Sequence, residues 1–214
     1  MTNEKGKCFA QFQYAHYRKS IQLFNEQEIK PITKFIKIKK GKRYLNLIIE
    51  KEKEVGGLYA FWWLSDNSEF INKFNESGYH LKPKVSSTSK VGLEFNCDWL
   101  PDTEQNNRRI CLYIGKTTNL QKRISGHLKL QTDKLWNDKD LDLFEKKPNT
   151  VNQLRIGIER VFGKNSFLSE DEVINNIGIS YLSVSGYESS IDRFYLENFL
   201  IGHYLPVFNV DIER

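Results

Sequence analysis

The chain has 214 residues, of which 39% are apolar and 28% are charged, and its formal net charge is +5. This length and apolar fraction predict a folded globular protein of one domain, or of two small ones. The longest apolar runs, such as residues 58–64, fall well short of the about 20 residues of a membrane helix, and the N-terminus lacks a signal peptide's apolar stretch, so we expect a soluble, cytoplasmic protein with no membrane partner.

Residues 1–50 are interpreted as an N-terminal extension. A helix is predicted from Ser20 to Ile29, with Pro31 as its breaker, and a turn is predicted at Lys40-Gly41-Lys42. Residues 30–43 contain seven basic side chains and no acidic one. Such a segment can follow a phosphate backbone, or it can be a solvated edge strand whose lysines hinder aggregation.

The segment from Val55 to Leu64 is apolar, aromatic and introduced by two glycines, which predicts a strand that is buried on both faces. Residues 65–109 are polar and rich in Asn, Ser and Lys. We interpret them as an insertion between two core strands, with a short helix near Phe70 to Phe74 and a strand near Val91 to Phe95. The three cysteines, Cys8, Cys97 and Cys111, form no CxxC pair and predict reduced thiols without assigned chemistry.

The second core strand is predicted from Ile110 to Gly115. Thr118 or Asn119 can cap the helix that begins at Leu120. Every fourth residue of that helix is apolar, which predicts a buried stripe. Arg123 and His127 share the face beside this stripe, and we expect both at the rim of a cleft.

The C-terminal part predicts three more helices and a strand. Asn149 or Thr150 can cap a helix that ends near Phe162, and Ser169 opens a capping-box pattern. A strand from Ile179 to Val184 and a helix from Ser190 to Tyr204 follow. Pro206 is expected to end that helix before an extended segment, residues 207–209.

Glu197 lies among the apolar positions Phe194, Leu200 and Ile201 of its helix, where an unpaired charge is costly. Its carboxylate can pair with Arg193 one turn earlier, or it can bind a hard cation such as Mg²⁺. Taken singly, the other candidates also have ordinary structural explanations, as packed strand tyrosines, a solvated lysine or a turn-capping asparagine. The residues alone leave both kinds of explanation open.

The segment from Cys111 to Leu128 resembles the second half of the GIY-YIG nuclease signature. Gly57-Leu58-Tyr59 resembles the first half, and residues 196–209 resemble the family's glutamate helix with its terminal asparagine. The resemblance covers under half of the chain, and 53 residues separate Tyr59 from Tyr113 where the family usually has a short connection. Long insertions at this place are a feature of the GIY-YIG restriction endonucleases.

The resemblance implies a metal-dependent endonuclease that hydrolyses DNA phosphodiester bonds, most like a site-specific restriction enzyme. Tyr59 would position the attacking water, and Tyr113 would share that water or bind a phosphate oxygen. A tyrosine near its usual pKa is a poor base, so a nearby cation would have to favour the phenolate. The remaining roles fall to Lys116 or His127 as that cation, Arg123 on the scissile phosphate, Glu197 on one Mg²⁺ or Mn²⁺ per active site, and Asn209 as the orienting residue.

The fold implied by the resemblance is an α/β (α+β) GIY-YIG core in residues 51–214, with a three-stranded antiparallel sheet flanked by helices. The partner would be double-stranded DNA, and a homodimer would allow both strands to be cut. Alternatives are a homing or repair nuclease of the same family, or a nucleic-acid-binding protein without activity. The candidate DNA-binding residues are Lys37, Lys39, Lys40, Lys42, Arg43, Arg108 and Arg109.

Overall fold

The computed structural model describes residues 17–47, 55–81, 93–97, 100, 109–130, 153–162, 170–186 and 189–209. These residues form a mixed α/β fold. In chain order its elements are α1 (residues 17–25), β1 (Lys30–Pro31), a 3₁₀ helix (Ile32–Phe35), β2 (Ile36–Lys39), β3 (Lys42–Leu45), β4 (Gly57–Trp63), α2 (Asn67–Glu76), β5 (His80–Leu81), β6 (Leu93–Glu94), β7 (Cys111–Thr117), α3 (Leu120–Leu128), α4 (Gln153–Phe162), α5 (Glu170–Asn176), β8 (Ile177–Ser183), α6 (Ser190–Tyr204) and a second 3₁₀ helix (Val207–Asn209).

The main sheet is antiparallel and has the strand order β1-β8-β4-β7. Strand β4 pairs along its whole length with β8 and along most of it with β7, and all seven of its residues are buried. The predicted two-sided central strand is therefore confirmed. Its aromatic and branched side chains suit such a position because both faces of the strand must exclude water.

Alternate residues of β4 enter two separate cores. Tyr59, Phe61 and Trp63 belong to the larger core, which also receives side chains from α2, α3, α4 and α5. Leu58 and Ala60 belong to the smaller core, with side chains from α1 and α6. This period of two gives a three-layer arrangement, and each large apolar side chain that it buries contributes about 1.5–3 kcal/mol.

The prediction of a three-stranded sheet misses one strand. Lys30 and Pro31 form β1, which pairs with Gly178 and Ile179 of β8 at the edge of the sheet. Proline is tolerated there because an edge strand leaves half of its backbone groups outside the ladder. The first helix also lies earlier than predicted, over residues 17–25 in the described part of the chain.

The ends of α3 and α6 follow local capping chemistry. Of the two predicted caps, Asn119 is the one observed, since its side chain accepts a hydrogen bond of 2.9 Å from the backbone N–H of Lys122. Helix α6 has the predicted bounds, Ser190–Tyr204, and Leu205 follows it as the C-cap with a φ of 49°. The extended segment predicted after it is wrong, because residues 207–209 form a 3₁₀ turn that buries Val207 and Phe208.

Strands β2 and β3 form a two-stranded sheet of their own, joined by the predicted turn. Lys40 and Gly41 are its two loop residues, with φ values of 50° and 72°. Positive φ at both positions matches the tight hairpin turn whose twist suits antiparallel strands. The amide of Gln121 in α3 donates to the carbonyl of Leu45 at 3.3 Å, which connects the base of this hairpin to α3.

The chain between β4 and β7 contains α2 and the short pair β5–β6. The helix predicted near Phe70 to Phe74 is confirmed, and Asp66 caps it. The strand predicted near residues 91–95 is observed only as β6. Helices α4 and α5 are present, but their predicted caps Asn149, Thr150 and Ser169 lie outside the described residues. Of the helices that the structure describes, none has the length and apolar character needed to span a bilayer.

Candidate active site

Tyr59 and Tyr113 lie on neighbouring strands and face α3. Tyr113 pairs with Phe61, and Tyr59 pairs with Gly115. A β-bulge at Leu112 shifts the register where β7 begins, so that Leu112 and Tyr113 both enter the larger core. The rings of Tyr59 and Tyr113 are stacked with centroids 6.2 Å apart.

Gly115 makes room for the ring of Tyr59. A Cβ atom at position 115 would lie 2.6 Å from Cζ of Tyr59 and 3.0 Å from Cε1 of Tyr113. Real Cβ atoms do not approach other carbons this closely, so any larger residue would displace the tyrosine or the strand. Position 115 of the Tyr-Ile-Gly segment therefore requires glycine, because any side chain there would overlap the ring of Tyr59.

Helix α3 directs two polar side chains at the hydroxyl of Tyr59. Nε of Arg123 donates to this oxygen at 3.3 Å, and Nε2 of His127 lies 2.9 Å from it. The predicted shared face of the two residues is confirmed, but the predicted rim position is wrong for His127. His127 is fully buried among Tyr59, Phe61 and Tyr113, whereas Arg123 is half-buried.

The hydrogen bonds also indicate the tautomer of His127. Its Nδ1 atom has no hydrogen-bond partner among the residues that the structure describes. A buried N–H without a partner is rarer and more costly than a buried lone pair, which favours the tautomer with its proton on Nε2. In that tautomer, His127 and Arg123 both donate to the oxygen of Tyr59.

Burial and the neighbouring Arg123 lower the pKa of His127 to about 3. The imidazole is therefore neutral near pH 7, and it cannot be the cation that favours a tyrosine phenolate. That part of the sequence prediction is corrected, because the face of a helix does not reveal how deeply another element covers it. Of the cations proposed from the sequence, Lys116 and Arg123 remain as candidates in this cluster.

Burial also raises the pKa of both tyrosines. For Tyr59 the pKa lies far above its ordinary value of 10, because of desolvation and of the neighbouring Tyr113, while Arg123 opposes the shift. For Tyr113 desolvation again dominates, and Arg123 opposes it. Both hydroxyls are accordingly protonated at neutral pH in this conformation.

Glu197 is bound by Lys116 on the other face of the sheet. Lys116 pairs with Leu58, which places its side chain toward α6. Its backbone N–H donates to Oε1 of Glu197 at 3.0 Å, and its ammonium group pairs with Oε2. The ammonium also lies 5.0 Å from the ring centroid of Phe194, an exposed aromatic residue that the sequence analysis gave no role.

The alternative partner considered for Glu197 is wrong. Arg193 instead donates to the carbonyl oxygens of Val184 and Gly186, at 2.7 and 2.8 Å, and to the hydroxyl of Ser190 at 3.0 Å. These bonds hold the loop between β8 and α6. Glu197 has a side chain that is only 16% exposed, so its negative charge is costly without a partner. Lys116 supplies that partner.

Asn209 and Glu197 together cover the open edge of β7. The amide of Asn209 accepts from the N–H of Ile114 at 2.7 Å and donates to its carbonyl at 2.8 Å. Glu197 accepts from the next outward N–H, that of Lys116. An unpaired strand edge is a site for wrong pairing, and these two side chains bind three backbone groups on this edge of β7.

The donor set fits one weakly held divalent cation. Mg²⁺ often takes one or two protein carboxylates and completes its shell with water and phosphate oxygens. Glu197 accepts two hydrogen bonds, and a carboxylate has about four lone-pair positions, so room for a cation remains. No group of three His, Cys, Asp or Glu is found among the described residues, and Glu197 is the candidate carboxylate ligand at this edge.

The candidate DNA-binding residues occupy different places. Lys37 lies opposite Tyr44 and Lys39 opposite Lys42, so these exposed side chains share one face of the hairpin. Lys40 is exposed at the turn, and Arg43 lies on the other face, opposite Ile38. Arg109 donates to the carbonyl oxygens of Leu64 and Ser65, and Arg108 lies outside the described residues.

Comparison with known proteins adds no identification to this geometry. No family model matches the chain, and no curated protein matches it at a significant level of sequence similarity. The functional proposal therefore depends on the residues that surround the edge of β7.

Proposed function

We propose that this protein is a metal-dependent endonuclease of the GIY-YIG type that hydrolyses phosphodiester bonds of double-stranded DNA, most like a site-specific restriction enzyme. One observation supports this proposal above the others. Four elements, β4, β7, α3 and α6, bring Tyr59, Tyr113, Arg123 and the Lys116–Glu197 pair together around one sheet edge. Packing alone does not explain why two tyrosines, two cations and a carboxylate converge there.

This set of groups matches what phosphodiester hydrolysis requires. The reaction needs a positioned water, positive charge beside the phosphate and stabilisation of the leaving oxygen. Arg123 is half-buried, and its bond to Tyr59 fixes Nε, which orients the rest of the planar guanidinium. Such an oriented guanidinium is suited to a phosphate because it presents several donors in one plane.

The two tyrosines differ in solvent exposure, and this difference suggests a separate role for each of them. Tyr59 has no exposed surface, whereas Tyr113 is 7% exposed and stacks on it. A group that activates water must be within hydrogen-bond reach of that water. We therefore assign contact with the attacking water to Tyr113, and to Tyr59 the positioning of Arg123 and His127.

Glu197 is the residue that would hold the metal ion. When bound, a divalent ion would neutralise the charge that develops on the leaving oxygen. Lys116 compensates the carboxylate from the sheet side and fixes its direction through the backbone bond to Oε1. Asn209 fixes the adjacent backbone of β7 at Ile114, so the metal ligand and Tyr113 keep a constant spacing.

The hairpin β2–β3 is the proposed DNA-docking element. A two-stranded ribbon fits the major groove of B-DNA, and lysines bind phosphates without sequence preference. Lys37, Lys39 and Lys42 lie on one exposed face, and none of them forms an ion pair with a residue in the described ranges. The bond from Gln121 to Leu45 places the base of the ribbon beside α3, which carries Arg123.

Substitution of Glu197 tests the proposal. Glu197→Gln retains an acceptor for the N–H of Lys116 but removes the charge that would bind the metal. We expect cleavage of unmethylated phage DNA in Mg²⁺ or Mn²⁺ to fall by about 100-fold or more, the range for removal of one group that stabilises the transition state. DNA affinity measured without divalent ions should change little. Glu69→Gln, at an exposed position in α2, is the matched control and should cleave normally.

The products distinguish the remaining functions. Discrete fragments indicate a restriction enzyme, and a smear indicates a less specific nuclease of the same type. Cleavage by Glu197→Gln at the wild-type rate would contradict the metal-ligand role. The second candidate, a nucleic-acid-binding protein without activity, is favoured by the two hydrogen bonds from Lys116 to Glu197, and it predicts DNA binding with no cleavage by the wild type.

A further inference from the structure

Helix α6 exposes a face that carries no Asp, Glu, Lys or Arg, although 28% of the chain is charged. Four of its large apolar side chains are far from buried: Ile191 is 65% exposed, Tyr195 52%, Phe194 46% and Phe199 39%. Solvated helix faces usually carry charged residues. The exposed residues of the helix are Ile191, Phe194, Tyr195, Asn198, Phe199, Gly202 and His203.

In the described part of the chain, Tyr195 lies beside Tyr17 of α1 and Phe194 lies beside Lys116, and both rings remain about half exposed. The opposite face of α6 already packs Leu196 and Leu200 into the smaller core, with 2% and 0% exposure. A helix that is apolar on both faces is typical of one that is buried on both. The outer face of α6 is therefore suited to contact with another protein surface.

The outer face has a shape that suits a second helix. Ile191, Tyr195 and Phe199 are spaced four apart and form one ridge along the helix. Gly202 continues this side, and a Cβ atom added there would meet nothing within 4 Å. Ridges of this spacing pack against each other at about −50°, the commonest class of helix contact. The same ridge on a second copy is a matching partner, as a two-fold dimer requires.

The chemistry of the face also favours a second copy over nucleic acid. DNA-binding surfaces carry Lys or Arg, which this face lacks among its exposed residues. The four large apolar side chains expose on the order of 350–400 Å², approaching half of the about 800 Å² that each partner buries in a standard interface. Aromatic residues at the centre of such a surface are typical interface anchors.

We propose that the outer face of α6, formed by Ile191, Phe194, Tyr195, Phe199 and Gly202, is the surface through which two copies of this chain associate as a two-fold dimer. Glu197 lies on the same helix, and Phe194 lies between this face and Lys116. The dimer would therefore bring two candidate active sites close to its axis. A two-site enzyme of this kind would suit cleavage of both DNA strands, but the association itself does not depend on cleavage.

The mass of the full chain in solution tests this proposal. Sedimentation over a concentration series should show twice the monomer mass for the wild type. Ile191→Glu combined with Phe199→Glu should raise the dimer dissociation constant by about 100-fold or more, as expected when interface anchors are removed. Ile38→Glu is the matched control, because Ile38 is 73% exposed on the β2–β3 hairpin, and it should remain dimeric.

A wild type that stays monomeric throughout the series would overturn the proposal, and so would a dimer that survives the α6 substitutions unchanged. Circular dichroism checks that each variant is folded. Asn198→Arg provides a second variant, because it adds one charge to the same face without removing an apolar side chain, and it should also give monomers. A dimer that does not cut DNA would contradict only the nuclease proposal, and a monomer that does would contradict only this one.

Discussion

The sequence pattern shows which residue types occur in the candidate site, but it does not show the packing reason for each of them. Gly115 is an example, because it lies directly opposite Tyr59 in the β4–β7 ladder. The Tyr-Ile-Gly pattern locates this glycine, but only the structure shows that the tyrosine ring of the neighbouring strand fills its space. The pairing of Lys116 with Glu197 could not be predicted either, since it joins residues from distant parts of the chain.

The first prediction concerns Gly115→Ala. The added Cβ would lie 2.6 Å from Cζ of Tyr59, so the ring must move away from Arg123 and His127. Overpacking of this kind costs about 1–3 kcal/mol. We expect a corresponding loss in the free energy of unfolding by urea and a loss of DNA cleavage at temperatures where the variant is folded.

Gly202→Ala is the matched control for Gly115→Ala. It adds the same methyl group to a helix position where nothing lies within 4 Å. Alanine is favoured over glycine in a helix by up to about 1 kcal/mol, so the free energy of unfolding of this variant should be equal to or higher than that of the wild type. Equal free energies of unfolding for both variants would show that Tyr59 is not held as described.

Elements were predicted well where local chemistry determines them. The two-sided strand β4, the Asn119 cap of α3 and the bounds of α6 follow from apolar runs, caps and breakers in the sequence. The 3₁₀ turn at residues 207–209 was missed because it forms when Phe208 packs against the larger core. Strand β1 was missed for a similar reason, since its two residues are a strand only through pairing with β8.

The hairpin β2–β3 illustrates what register adds to a sequence pattern. The basic run is compatible with phosphate contacts or with a solvated edge strand, and it does not indicate which lysines share a face. Pairing places Lys37, Lys39 and Lys42 on one face with Tyr44, and Arg43 on the other. By contrast, Lys34 forms an ion pair with Glu28 at 3.4 Å. The three lysines of the first face are therefore the ones expected to contact DNA.

The prediction at this scale is a change in the salt dependence of DNA binding. Replacing Lys37, Lys39 and Lys42 by Gln should lower the slope of log affinity against log salt by about 0.9 for each phosphate that the hairpin no longer neutralises. Filter binding or fluorescence anisotropy without divalent ions measures this slope. Replacing Lys19, Lys34 and Lys73 removes the same charge elsewhere and should leave the slope unchanged. Equal slopes for both triple variants would make the hairpin an ordinary solvated edge.

At the scale of the whole molecule, the sheet separates two parts of the candidate site. Tyr59, Tyr113, Arg123 and His127 lie on the face covered by α3, whereas Lys116 and Glu197 lie on the face covered by α6. They meet only because β7 is the edge strand of the sheet. The sequence places these residues in an order that resembles the GIY-YIG pattern, but their convergence depends on strand order, which no local pattern contains.

The last prediction concerns global stability in acid. The pKa of His127 falls from an ordinary 6.5 in the unfolded chain to about 3 in the folded protein. Below pH 6.5 the unfolded state therefore binds more protons than the folded state. The free energy of unfolding decreases as the pH is lowered from 6.5 to about 3. At about 1.4 kcal/mol for each unit of pKa shift, the full loss is on the order of several kcal/mol.

Urea unfolding of the full chain between pH 7 and pH 4.5 measures this dependence. His127→Gln removes the titrating group, so its free energy of unfolding should fall less steeply over this range, whatever its absolute stability at pH 7. His203→Gln is the matched control, because it removes an exposed histidine from α6 and should keep the wild-type slope. A slope for His127→Gln equal to that of the wild type would mean that His127 becomes protonated without unfolding the cluster around Tyr59. In that case a protonated His127 would carry a positive charge beside Tyr59 in the folded protein.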